Sequence, residues 1–147
     1  MDKKLSQIGR KTMCPAGVFI KNKKILVGLR NYTPDKWKKI SVWTCPGGRC
    51  DENETIETTL RREIKEETGI TEFEILEFLG EVIGAKEGDF VPLFLCKTNQ
   101  EPRLMEPNKF SEWRWVDFSE EPLDNFINDE VKKVILKFLS NKENFLS

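Results

Sequence analysis

Residues 55 to 68 constrain this chain more than any other stretch. The Cys45-Pro46-Gly47-Gly48 segment before them stops any regular element, because proline fixes φ and two glycines loosen the backbone. A helix then reads from Thr55 to Thr68. Thr55 can cap its start, and Gly69 stands where a left-handed terminating residue is wanted. At about 100° per residue, Ile56, Leu60 and Ile64 form one apolar stripe, the face that packs on a sheet. Glu57, Thr58, Arg61 and Lys65 fall on the opposite, solvated side. Glu63 and Glu67 land within or beside the stripe, with Glu66 at its edge. Carboxylates at this spacing repel by roughly a few tenths of a kcal/mol per pair in water, and by more beside a buried face. A solvated charge run would have put them with Lys65. The pattern asks for a compensating cation, and a hard divalent ion that takes oxygen ligands answers it.

Around that helix, strands and helices intermix without strict alternation. Ala16 to Ile20 and Lys24 to Leu29 read as strands about a polar Lys21-Asn22-Lys23 turn. Asn31 to Lys39 reads as a loop and Ser41 to Thr44 as a short strand. Phe73 to Val82, Val91 to Lys97 and Trp113 to Val116 are further strands, Pro92 marking an edge or a bulge. Val131, Val134, Ile135, Phe138 and Leu139 follow the spacing of an amphipathic closing helix. The expectation is one mixed α/β domain over residues 1–147.

Composition removes several mechanisms. There is no histidine, which excludes HExxH zinc chemistry and every Ser-His or Cys-His catalytic pair. Cys14, Cys45, Cys50 and Cys96 form no CxxC pair, so they read as reduced, packed thiols. Catalysis must run on carboxylates, lysines, hydroxyls, thiols or a hard metal. No run approaches the roughly 18 apolar residues of a membrane span, and Met1 to Arg10 has no apolar core for a signal peptide. The expectation is a cytoplasmic protein, monomeric or homodimeric, that engages no membrane. Residues 1–50 hold 12 Lys and Arg against Asp2 and Asp35, whereas residues 51–147 hold 12 against 23 acids. Once folded, these are either mixed solvated faces or a basic wall facing an acidic one, which suits a polyphosphate bridged by divalent cations. The basic residues are scattered without a recognition motif, so no nucleic-acid partner is expected.

The helix belongs to a larger pattern. Gly48, five residues, Glu54, seven residues, then Arg62-Glu63-Ile64-Lys65-Glu66-Glu67-Thr68-Gly69-Ile70 reproduces the Nudix box at nine specified positions across 23 residues. The chain resembles a Nudix hydrolase over about residues 10 to 140. The resemblance implies an α/β/α sandwich around a mixed β-sheet. It also implies hydrolysis of a nucleoside diphosphate linked to another moiety, X, with Mg²⁺ or Mn²⁺ as cofactor. By position, Glu63, Glu66 and Glu67 correspond to the metal-binding and catalytic carboxylates, with the Gly47 carbonyl as a further ligand. Arg62 corresponds to the residue that orients the glutamates, and Glu54 to one that steadies the loop. Asn53 stands where many members have Gly, and Thr58-Thr59 replaces a common pair of small alanines.

The segment Glu106-Pro107-Asn108-Lys109-Phe110-Ser111-Glu112-Trp113-Arg114-Trp115-Val116 is similar to the late segment of MutT-like nucleoside-triphosphate hydrolases. That match implies a carboxylate near the metals at Glu106, with Glu112 as the competing assignment. Arg30 resembles an Arg that meets phosphate in the same group. Trp43 and Phe90, with Trp37 and Trp113, are candidates to stack on a base, although such rings are more often core. The resemblance implies conversion of a nucleoside triphosphate to monophosphate and pyrophosphate. ADP-ribose, a nucleotide sugar or a dinucleoside polyphosphate is the alternative substrate, and a non-catalytic nucleotide-binding domain the alternative role.

Overall fold

The computed structural model describes residues 1–31, 42–84, 86–118, 126 and 128–141. The loop read over Asn31 to Lys39 lies, past Asn31 itself, outside the described residues, as do Trp37 and Ser41.

Strand β1 (Ala16–Lys21) and strand β2 (Lys24–Arg30) form an antiparallel hairpin through Ile20–Ile25 and Lys21–Lys24. Asn22 and Lys23 both have positive φ, 52° and 65°, which is the two-residue turn whose twist matches that of the strands. Past this corner the two strands part. β2 pairs along its length with β6 (Phe110–Asp117), from Lys24–Asp117 to Arg30–Phe110, and near its end with β3 (Trp43–Thr44). β1 runs parallel to β5 (Phe90–Lys97), from Ala16–Leu93 to Phe19–Cys96. β5 in turn pairs antiparallel with β4 (Glu74–Ile83). The sheet order is β3-β2-β1-β5-β4, with β6 on β2.

Both faces of this mixed sheet are covered, so its central strands read as nearly continuous apolar runs. Val18, Ile20, Ile25, Val27, Leu93 and Leu95 pack with Val131, Ile135 and Leu139 of helix α3 (Asp129–Asn141). Phe19, Leu26, Phe94 and Cys96 face the other way, onto Ile56, Leu60 and Ile64 of helix α2 (Ile56–Thr68). The result is the three-layered α/β/α arrangement, with the apolar stripe of α2 fully buried. No helix among the described residues is long and apolar enough to cross a membrane, and all four cysteines are free thiols.

Two departures from the sequence reading stand out. β6 starts at Phe110 rather than Trp113, because β2 offers partners as far as Arg30. β5 is a central strand, but Pro92 fits the expected edge or bulge: it precedes the first β1 pair, Ala16–Leu93, and the β4 ladder shifts register beside it between Phe78 and Gly80. A five-residue helix α1 (Asp2–Ser6), too short for any periodicity, was not expected.

Lys23 adopts a left-handed backbone that disfavours a β-carbon by about 1 kcal/mol. Lys23→Gly should therefore raise the thermal midpoint by a few degrees; a lower midpoint in calorimetry would contradict this account of the turn.

Candidate active site

The Cys45–Gly48 segment crosses beside β1 as an extension of the sheet. Gly17 N–H donates to Pro46 O at 2.8 Å, and Gly48 N–H to Pro15 O at 3.1 Å. A β-carbon on Gly47 would collide with Pro15 O and the Ala16 backbone, and one on Gly48 would collide with the Glu63 carboxylate. Only glycine lets the backbone at position 47 come so close to Pro15 and Ala16. The following loop turns at Asn53, whose φ of 68° confirms that asparagine serves in place of glycine. Thr55 caps α2 by accepting from Thr58 N–H at 3.1 Å, and Gly69, at φ 75°, ends it.

The three glutamates of α2 are graded by burial. The Glu67 residue is 7% exposed. The Glu63 side chain is 18% exposed and that of Glu66 48%. Burial pushes the Glu67 carboxyl up to about 8, with Glu63 and Glu106 adding to the rise; the Gly47 N–H, donating to Glu67 Oε1 at 3.0 Å, and nearby Arg30 oppose it. Burial also raises Glu63, against the pull of Arg62. Arg62 gathers the site. Its Nε and Nη2 donate to the two oxygens of Glu54 at 2.7 and 2.9 Å, and Nη1 reaches Glu63 at 3.0 Å and Glu66 at 3.2 Å. Glu54 also accepts from Asp51 N–H and from the hydroxyl of Thr59; the Arg62 bond above all holds its carboxyl down at about 2. Thr59 is therefore a working replacement for a small residue, which spacing alone did not reveal.

A cleft of about 1220 Å³ opens over these groups, lined by Glu63, Glu67, Gly47 and Gly48 at one end, and by Arg30, Lys109 and Phe110 nearby. Close to Glu67, Glu106 Oε1 is buried without a hydrogen-bond partner, while its other oxygen lies 3.5 Å from Lys109 Nζ. Arg30 stacks over Phe110 at 5.8 Å. Two of the proposed substrate contacts are not brought to the cleft wall. Trp43 is core, 9% exposed with Arg114 across its ring, and Phe90 is an exposed residue at the start of β5. Glu112 pairs with Arg114 on the surface, which leaves Glu106 as the carboxylate near Glu67. Arg49 grips Asp89 with two bonds of 2.8 and 2.6 Å, tying the box to the β4–β5 turn; nothing in the spacing had pointed to it.

Among the described residues no three acidic or cysteine side chains converge as a ready-made metal-binding group. The donor set nevertheless fits a hard divalent ion. Glu67 is a buried oxygen donor in no salt bridge with a described Lys or Arg, and Glu106 Oε1 is an orphaned buried acceptor whose partner oxygen faces Lys109.

The chain belongs to the Nudix family: the model of the NUDIX domain matches residues 13–138. It is 29% identical over 120 residues to an RNA pyrophosphohydrolase of Bartonella henselae, covering 67% of this chain and 68% of that protein. Among solved structures, a MutT NUDIX hydrolase from Burkholderia pseudomallei superposes with TM-score 0.59 at 26% identity, covering 80% of this chain and 87% of that one. An Ap4A hydrolase from C. elegans shares the fold with TM-score 0.70 at 22% identity, over 89% and 98% of the two chains. The protein is thus a Nudix pyrophosphohydrolase, acting on phosphoric anhydride bonds of nucleotides, in a family that generally uses divalent metals.

The buried Glu67 carries a pH signature. Its carboxyl has a higher pKa folded (about 8) than unfolded (near 4.5), so ionisation costs the metal-free protein stability progressively between those values. Glu67→Gln keeps the acceptor for Gly47 and removes the charge. In urea unfolding with chelator present, its stability advantage should be small at pH 5 and grow to a few kcal/mol near pH 8. A pH-independent difference would rule this assignment out.

Proposed function

We propose that the protein hydrolyses a (deoxy)nucleoside triphosphate to the monophosphate and pyrophosphate, as a single domain acting in the cytoplasm. The observation that carries this reading is the cleft that gathers Glu63 and the buried Glu67 with Arg30 and Lys109, beside the orphaned Oε1 of Glu106. Glu63, Glu66, Glu67, Glu106 and the Gly47 carbonyl would hold Mg²⁺ or Mn²⁺, which supplies charge neutralisation on phosphoryl oxygens and activation of water. Arg62 orients Glu63 and Glu66 while its grip on Glu54 keeps it from swinging into the substrate. Arg30 binds the phosphate chain, and Phe110 beneath it fixes the guanidinium plane. One carboxylate of the set takes the proton of the attacking water. Because charge develops on phosphoryl oxygens during in-line displacement, positioning and cations suffice without a nucleophilic side chain. The likeness of the Glu106–Val116 segment to MutT-like enzymes and the MutT hydrolase neighbour support a triphosphate. The four free thiols fit a reducing compartment.

A second reading, removal of pyrophosphate from an RNA 5′ end, is favoured by the Bartonella relative. Its substrate offers the same triphosphate to the same cleft. Incubation of each nucleoside triphosphate with Mg²⁺ in ¹⁸O water should give pyrophosphate and monophosphate in equal amounts. Orthophosphate with a diphosphate would show that cleavage occurs elsewhere. Inert triphosphates alongside cleavage of 5′-triphosphate RNA, ADP-ribose, a nucleotide sugar or a dinucleoside polyphosphate would overturn the substrate.

On the same helix, Glu67→Gln should lower turnover by about two orders of magnitude or more. Glu57→Gln, which loses only a half-exposed pair with Arg61, should change it little. Equal losses in the two would contradict the division of α2 into a working and a solvated face.

A further inference from the structure

Two backbone hydrogen bonds and one close approach bind the N-terminal segment to the loop that opens α2. Gly9 N–H donates to Glu54 O at 2.8 Å, and Ile56 N–H donates to Gln7 O at 2.9 Å. Together those two bonds make Ile8 and Thr55 an antiparallel bridge. The Gly9 Cα lies so close to the Cys50 side chain that a β-carbon there would collide with Sγ. The Ile56 bond matters because this is the first amide of a helix, one of the donors that the helix itself cannot satisfy, on a residue with no solvent exposure. Thr55 serves Thr58 N–H, and the strap serves Ile56 N–H, so the cap of α2 is made partly by Gln7, far earlier in the chain.

The target of these contacts is not an arbitrary turn. Glu54 is the residue whose two carboxylate oxygens hold Arg62, and Arg62 holds Glu63 and Glu66. The Glu54 backbone is pinned at its carbonyl by Gly9 N–H, and its own N–H donates to Asp51 O at 3.2 Å. Little of the strap is anchored by apolar burial: Leu5 is buried in the α2 cluster, while Ile8 is 55% exposed. A segment with so small a share of the core, yet with both backbone bonds aimed at Glu54 and its neighbour, acts on placement more than on bulk stability.

We propose that residues 1–9 are a positioning element of the active site, a backbone strap that sets Glu54 and, through Arg62, the spacing of Glu63 and Glu66. The proposal rests on assigning those glutamates to a divalent ion. Gly9→Ala drives a methyl into Cys50 Sγ and lifts the strap; pairing it with Cys50→Ala removes the obstructing sulfur, with Cys50→Ala alone as the reference.

Two readouts need no substrate: Mn²⁺ affinity by calorimetry, and amide exchange at Ile56 by NMR. Gly9→Ala should weaken Mn²⁺ binding about tenfold, as displaced outer-shell partners do, and speed exchange at Ile56. The double variant should return towards the reference in both. A folded Gly9→Ala protein with wild-type Mn²⁺ affinity overturns the proposal, as does a double variant as weak as the single one. Should Gly9→Ala not fold, removal of residues 1–8 takes away the Gln7 acceptor without adding bulk, and unchanged affinity there is equally decisive. Absence of Mn²⁺ binding in the wild type overturns the metal reading itself, a failure visible before any variant is made.

Discussion

The structure turns on one guanidinium. Arg62 sits among Asp51, Glu54, Glu63 and Glu66, and only Glu54 takes two of its bonds. That asymmetry gives the cluster its order. The paired bond to Glu54 fixes the plane of the guanidinium, and the remaining nitrogen is left to share between Glu63 and Glu66. A lysine would supply the charge but not the fork, so the orientation of two working carboxylates would be lost while the net charge stayed the same. Mutual attraction also keeps each partner ionised: Glu54 is held far below the ordinary carboxylate range, and Arg62 well above its own.

Glu67 stands outside this arrangement, and its cost falls on the fold. A carboxylate buried to this degree, met by one backbone N–H, is a destabilising feature in an otherwise apolar layer. The surrounding design absorbs it. α2 is capped at both ends, its stripe of Ile56, Leu60 and Ile64 is sealed from water, and the sheet beneath is buried on both faces. At roughly 2 kcal/mol per fully buried aliphatic side chain, those three residues alone offset a penalty of several kcal/mol.

Much of this was legible in the sequence because it is periodic or local. The stripe of α2, its Thr55 cap and Gly69 stop, and the intrusion of Glu63 and Glu67 into the apolar face all follow from residues within one turn of each other. The hairpin at Asn22-Lys23 and the closing helix were readable for the same reason. What escaped depends on tertiary partners. Trp43 reads as a base-stacking candidate, but tertiary packing puts it in the core with Arg114 across its ring, and neither it nor Phe90 lines the cleft. Asp89 looks like any turn acid until Arg49 is set against it from 40 residues away. Thr59 gives no outward sign that its hydroxyl points at Glu54. The choice between Glu106 and Glu112 had the same character: the two are six residues apart in sequence, but only one turns its oxygen inward.

The parting of β1 from β2 beyond the Asn22-Lys23 corner has its own significance. The place that β2 vacates beside β1 is taken by Pro46, Gly47 and Gly48, which complete the ladder through Gly17 and Pro15. The floor of the cleft is consequently a strand of the sheet in all but name, and displacing it means breaking the same kind of bonds that hold the core together. Local opening of this floor belongs to the high-energy end of the molecule's fluctuations, alongside the central strands and not alongside its surface loops. Any adjustment to a bound substrate must therefore come from the opposite wall: the anvil is fixed, and only what faces it is free to move.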